Sequence, residues 1–222
     1  MALSAQQKDR LRSAVESYAF PPDHFDFSRN APERLADTRA VEIAISRELR
    51  SGEPERVKNG LSNILYWGYG QMGIRDTRVR RFRIKVTIFQ LTQACGLFQR
   101  SRLPSVVEIK NLSLPEFARL SFVSKIRMFL DPDHSATLDL QIMKIHKRCP
   151  TTVLAQLCIG SSTSIPITAH NSNAYEAWCR RMREISRIHF EDCFRAVDIE
   201  RGLFHLIQKG HTDTAAQILN DA

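Results

Sequence analysis

The sequence is short of the residues that break a chain or staple it. Nine glycines and nine prolines among 222 residues favour long helices over many turns. The five cysteines, Cys95, Cys149, Cys158, Cys179 and Cys193, are an odd, widely spaced set without a CxxC pair. That argues against a disulfide framework or a structural zinc, and for reduced thiols in a core. No run of 18 apolar residues occurs, so nothing is expected to span a membrane. The start, MALSAQQKDRLR, turns polar almost at once, so no secretory leader is expected. His134, His146, His170, His189, His205 and His211 show no HExxH or other close-set ligand spacing, and no metal or cofactor is expected. GxSxG and SxxK nucleophile motifs are absent, and Gly68, Gly70 and Gly73 form no phosphate-binding loop after a strand.

What is present is a globular composition, 43% apolar and 25% charged, with a net charge of +8. Residues 1–60 hold ten basic and ten acidic side chains, so the whole excess lies in 61–222. A basic surface confined to part of a chain suits a polyanionic partner, or is simply a solvated face. The run Arg75, Arg78, Arg80, Arg81, Arg83, Lys85 cannot share one helix face, so some of it is expected to meet phosphates and the rest water. Arg75 and Arg78 are the phosphate candidates. Arg180, Arg181, Arg183 and Arg187 form a second basic set that reads as a solvated face.

Apolar spacing predicts helices almost throughout and few half-buried strands. Gln6 to Tyr18 is amphipathic and stops at Pro21-Pro22. Asn30 caps a long helix with Pro32 in its first turn, ended by Ser51-Gly52. Its apolar side is Leu35, Val41, Ile43, Ala44 and Leu49. A third helix spans Glu53 to Tyr66, interrupted by Gly60. A fourth runs from an Asp76 cap to about Cys95, with Gly96 as C-cap. Ser113 and Glu116 read as a capping box with Pro115 in the first turn. Residues 149–170 read as a short helix and an irregular loop. Helices over Asn173 to Ile188 and Cys193 to Lys209, with a short one from Thr212, close the chain.

The chemistry is sought in LSLPEFARLSFVSKIRMFLDPDHSATLDLQIMKI (112–145). Val123, Ile126, Phe129 and Leu130 make the buried stripe of one helix, and Lys125 lies about 80° from its centre. There a lysine either snorkels over the core edge or presents an amine to a cleft, and a nucleophile must be neutral to react. Asp139 precedes a short basic-ended helix and reads as its N-cap, which leaves one carboxylate oxygen able to face a cleft.

This stretch resembles the catalytic segment of the helix-hairpin-helix DNA glycosylases, most closely the 8-oxoguanine branch. There a lysine closes an inter-helix turn and an aspartate follows after a loop. SFVSK (121–125) stands where the family has its glycine-flanked turn and lysine, and LDLQIMKI (138–145) where it has its aspartate segment. Ser121 and Val123 replace the two usual hairpin glycines, the lysine–aspartate loop is short, and the iron–sulfur cysteines of another branch are absent. RAVDIERGLFHLIQKG (195–210) is similar to the helix lining the base pocket, with Glu200 and Phe204 at the positions that hydrogen-bond and stack on the flipped base. By residue pattern alone, Glu200 faces solvent toward Arg201 or Arg195 and Phe204 sits in the core equally well.

The resemblance implies an all-α fold, two helical lobes with a helix-hairpin-helix element and a cleft between them. One lobe spans 55–148 with the hairpin at 114–130, and the other joins 1–54 to 149–222, without the extra β domain of larger relatives. It implies a bifunctional DNA glycosylase and AP lyase acting on a damaged or modified base, with 8-oxoguanine the first candidate. Lys125 is the nucleophile and Asp139 its electrostatic partner; Glu200 and Phe204 read the base. Ser121, Val123, Ser124 and Gln141 join Arg75 and Arg78 in contacting DNA. The expected partner is double-stranded DNA, the expected state a monomer in bacterial cytoplasm near the nucleoid. Two alternatives stand beside it: a non-catalytic DNA-binding protein on the same scaffold, and a glycosylase for another modified base, such as one carried by phage DNA.

Overall fold

The structure, a computed structural model, describes residues 2–159 and 164–222. In chain order it contains α1 (Ala5–Glu16), β1 (Asp23–Asp26), β2 (Ala31–Arg34), α2 (Thr38–Leu49), α3 (Pro54–Gly68), α4 (Arg75–Lys85), α5 (Ile88–Phe98), α6 (Val106–Asn111), α7 (Leu120–Leu130) and α8 (Met143–Arg148). A 3-10 turn (Val153–Gln156), α9 (Ala169–Phe190), α10 (Ala196–Gln208) and α11 (Thr212–Asp221) follow. The described chain is mostly helical, and none of its helices is long and apolar enough to cross a membrane. Within the loop expected over 149–170, residues 160–163 lie outside the described residues.

Two compact units result: Ala19–Leu130, and Met1–Tyr18 with Asp131–Ala222. The boundaries differ from the expected 54/55 and 148/149 because α2 packs on α3 and α7, and β1 on α3, which draws 19–54 into the middle unit. Lys125 and Asp139, expected in one lobe, therefore fall in different units. All of the charge excess lies in Ala19–Leu130, which has 19 Lys and Arg against 11 Asp and Glu; the other unit has 13 of each.

In the unit Ala19–Leu130, α3 is central. Val57, Leu61, Ile64 and Leu65 are fully buried, and the helix touches α2, α4, α5, α7 and β1. Gly60 does not interrupt it. A Cβ there would stand 3.2 Å from the Leu49 backbone nitrogen, so this glycine lets α2 and α3 approach closely. The helix expected from Asn30 is instead an antiparallel hairpin pairing Asp23 with Arg34 and Phe25 with Pro32. Asn30 takes a positive φ of 52°, a turn conformation that Asn tolerates well. Asp26 Oδ1 accepts from Ser28 N–H and Arg29 N–H across that turn, and these bonds with the Ser28 hydroxyl hold its carboxyl below the usual range. Asn63 ties the hairpin to α3 by accepting from Phe25 N–H (2.9 Å). Asp37, not Asn30, caps α2, accepting from Ala40 N–H (2.7 Å). Val41, Ile45 and Leu49 make its buried side while Ile43 is exposed.

The single helix expected from Asp76 is two. Val86 is extended (ψ 132°), and Thr87 opens α5 with a reciprocal Thr87–Gln90 capping box. The T-x-x-Q signature was legible and marks the break. Gly96 lies inside α5, and Gln99 is the C-cap. Ser113 and Glu116 have positive φ values of 52° and 69° in an irregular turn and start no helix.

In the other unit α10 packs on α1, α9 and α11, while α8 packs on α11. Gly202 is where α10 meets α1: a Cβ there would lie 2.7 Å from Val15 Cγ2 and 2.8 Å from Leu11 Cδ1. Gly202→Ala is therefore expected to destabilise the protein by about 1–3 kcal/mol through overpacking, read as a lower melting temperature. An unchanged melting temperature would refute this account of the α1–α10 contact.

Candidate active site

Lys125 lies in the second turn of α7, after Leu120, rather than at the end of an inter-helix turn. Helix α6 and helix α7 pack together, but the irregular segment 112–119 between them takes the place of a tight hairpin. Val123 and Ser124 are buried and Val123 N–H bonds Arg119 O, so these two have no surface for a phosphate. Ser121 is half-buried and is the one of the three that keeps some.

Lys125 is only 8% exposed. Simple snorkelling would leave its ammonium in water. Here Nζ donates to Ser121 O at 3.0 Å, on its own helix, and sits 5.1 Å from the Phe122 ring centroid. Ser121 O also accepts from the Ser124 hydroxyl (3.3 Å). Gly68, the last residue of α3, makes the space: a Cβ there would come 2.9 Å from Phe122 Cε1 and 3.4 Å from Lys125 Cδ. Phe122 is flanked in turn by Tyr69 (4.5 Å) and Phe117 (6.2 Å). Burial raises the Tyr69 phenol above its usual value, against the opposing pull of Arg78. The amine is thus set in an aromatic, poorly hydrated wall.

Arg75 and Arg78 already have acidic partners. Arg75 Nη1 is 3.2 Å from Asp23 Oδ2, and its guanidinium lies 4.0 Å from the Tyr66 ring centroid. Arg78 (2.9 Å) and Arg81 (3.1 Å) both reach the largely buried Glu116 carboxylate. Arg80 and Lys85 of α4 are exposed and have no acidic partner among the described residues.

Asp139 is half-buried. Its Oδ1 accepts from Gln141 N–H (2.8 Å) and Ile142 N–H (3.3 Å), which makes it the cap of the turn leading into α8. Its Oδ2 has no hydrogen bond among the described residues. The preceding stretch is held from α9, where the Tyr175 hydroxyl donates to Ala136 O (2.9 Å) and Trp178 Nε1–H to Thr137 O (3.1 Å). Gln141 is exposed.

Glu200 is 5% exposed, which overturns its solvent-facing alternative. Phe204, one turn on, is half-buried and meets Tyr18 edge-on at 6.5 Å. The start of α10 is clamped by Asp198, which accepts from Arg195 N–H (3.0 Å), Nε (2.8 Å) and Nη2 (2.8 Å).

The structure thus groups the expected residues in two sets. Ser121, Val123, Ser124, Lys125, Arg75 and Arg78 belong to Ala19–Leu130, whereas Asp139, Gln141, Glu200 and Phe204 belong to the other unit. Sequence reasoning missed Gly68, Glu116, Tyr175, Trp178 and Asp198. Only the Tyr175/Trp178 pair, two aromatics with polar handles three apart on one helix, carried a usable signal. Among the described residues no group of three or more His, Cys, Asp or Glu could hold a metal ion. No protein-family model, curated protein or solved structure matches the chain.

Burial raises the Asp198 carboxyl, but the Arg195 hydrogen bonds and charge outweigh it and the folded pKa is lowered. Its stabilisation is therefore complete above the unfolded value near 3.9 and is lost as pH falls through the folded value. Asp198→Asn is expected to cost about 1–3 kcal/mol at neutral pH and to flatten the acid limb of a stability–pH curve. An acid limb identical to that of the wild type would contradict this clamp.

Proposed function

We propose that this protein is a DNA glycosylase with associated AP lyase activity, using Lys125 as a Schiff-base nucleophile. The observation that carries the reading is the burial of Lys125, whose amine donates to Ser121 O beside the Phe122 ring. The +8 excess of the same unit supports a polyanionic substrate.

The target nucleotide is flipped out of the duplex, because its glycosidic carbon is unreachable in the stack. Neutral Lys125 attacks C1′. The glycosidic bond breaks with its electron pair going to the base, which leaves protonated. The candidate for the carboxylate that stabilises the oxocarbenium-like charge and moves the proton is Asp139. Ring opening yields the imine between Nζ and C1′. Loss of a C2′ proton then expels the 3′ phosphate, nicking the strand 3′ to the lesion. Buried Glu200 and half-buried Phe204 are the base-reading pair, and a glutamate favours a base with an exocyclic amine or protonated ring nitrogen.

A second reading, duplex binding without chemistry, is favoured by one observation: the tight glycine hairpin is replaced by segment 112–119, with Val123 and Ser124 buried.

Strand nicking on duplexes carrying 8-oxoguanine, other modified bases or an abasic site separates the two. Lys125→Gln is expected to abolish nicking while retaining salt-sensitive binding. Asp139→Asn keeps a good cap, because Asn caps as well as Asp, and is expected to keep its stability yet lose at least tenfold in rate. Asp139→Ala should in addition lose about 0.5–2 kcal/mol of stability. Nicking that survives Lys125→Gln would sink the mechanism, and binding without nicking on every duplex would favour the second reading.

A further inference from the structure

Helix α9 carries three arginines that nothing in the fold uses. Arg180, Arg183 and Arg187 are exposed, and no carboxylate among the described residues lies within salt-bridge distance of them. At about 100° per residue they fall within an arc of about 60°, one stripe along the helix. The intervening Arg181 points away from it and engages Glu184 Oε2 at 3.6 Å, so that neighbouring acid is occupied. The stripe lines a cavity of about 620 Å³ together with Asp133, His134, Glu184, Ser186, Asp192, Phe194, Arg195 and Ala196. His134 is held by Asp131 at 3.0 Å and Arg195 by Asp198 at 2.8 Å, while Asp133 and Asp192 are exposed.

Like charges three and four residues apart on one helix repel, so the three arginines disfavour one another. The helix dipole accounts for Arg187 in the last turn but not for Arg180 and Arg183 nearer the middle. Nor does general basicity explain it, because the unit holds 13 basic and 13 acidic residues. From Arg180 to Arg187 the helix rises about 10 Å, at about 1.5 Å per residue. Long arginine side chains distributed over about 10 Å can reach neighbouring phosphates of one strand, where a duplex carries one phosphate per strand for each 3.4 Å or so of its axis.

We propose that Arg180, Arg183 and Arg187 bind consecutive phosphodiester groups of a DNA strand. The choice of DNA as the polyanion rests on the function proposed above; the stripe itself does not. Guanidinium groups suit this ligand because their planar forks pair with phosphate oxygens in bidentate fashion.

The test is fluorescence anisotropy of the full chain with a short undamaged duplex across a salt series, so that no chemistry is involved. Arg180→Gln/Arg183→Gln/Arg187→Gln is expected to weaken low-salt binding at least tenfold and to reduce the slope of log K against log salt by about 2–3, given about 0.9 per phosphate contact. The triple Lys variant, which keeps the charges, should hold the slope. Single Gln variants should each lower it by about 0.9, which covers the case in which the triple variant fails to fold. A slope equal to that of the wild type in a folded triple Gln variant would overturn the stripe alone. Tripolyphosphate binding that depends on the stripe, with duplex binding unaffected, would assign the site to a small polyanion and also overturn the proposal. Absence of duplex binding in the wild-type protein would overturn both the stripe and the functional reading.

Discussion

An amine removed from water must be given partners, and α7 is arranged around that requirement. Lys125 Nζ turns back onto Ser121 O, one turn earlier, and rests near the face of Phe122. This works only because α3 ends in Gly68, whose missing Cβ is the room that Phe122 and the lysine stem occupy. Tyr69, the C-cap of α3, then closes on Phe122, and Arg78 and Arg81 lean on Glu116 beside it. The buried amine, the glycine end of α3 and the aromatic wall thus share one close-packed corner.

The rest of the candidate chemistry is built differently. Asp139 is rigid because Oδ1 caps a turn and because α9 grips the preceding stretch through Tyr175 and Trp178. A carboxylate fixed by one oxygen with the other unclaimed is a suitable form for an electrostatic partner, but a cap by itself has the same form. Glu200 is informative for its burial: an acid at 5% exposure on α10 is more than surface decoration.

Much of the helical framework was legible in the sequence. The helices α1, α9, α10 and α11 follow their apolar spacing, whereas the break between α4 and α5 was missed although its Thr87–Gln90 capping box stands in the residues. What was not legible has particular causes. Asn30 and Pro32 fit a helix start locally, but the chain folds back there as a hairpin whose first strand is tied to Asn63 of α3, a long-range contact that local pattern does not encode. Ser113 and Glu116 match a capping box by letter, yet both have positive φ, which the pattern does not encode. The division into units depends on α2 packing against α3 at Gly60, a close approach that helical periodicity does not announce. For the site, the wheel put Lys125 at the stripe margin and left its head undecided; Gly68, 57 positions away in sequence, decides it.

The central claim is covalent chemistry at one amine. Borohydride reduction of the protein with a duplex carrying a modified base or an abasic site, followed by peptide mapping of the trapped species, tests it most directly. The account predicts a reduced adduct on Lys125 within the α7 peptide. An adduct at a different amine, or none on any duplex that the protein binds, would contradict it.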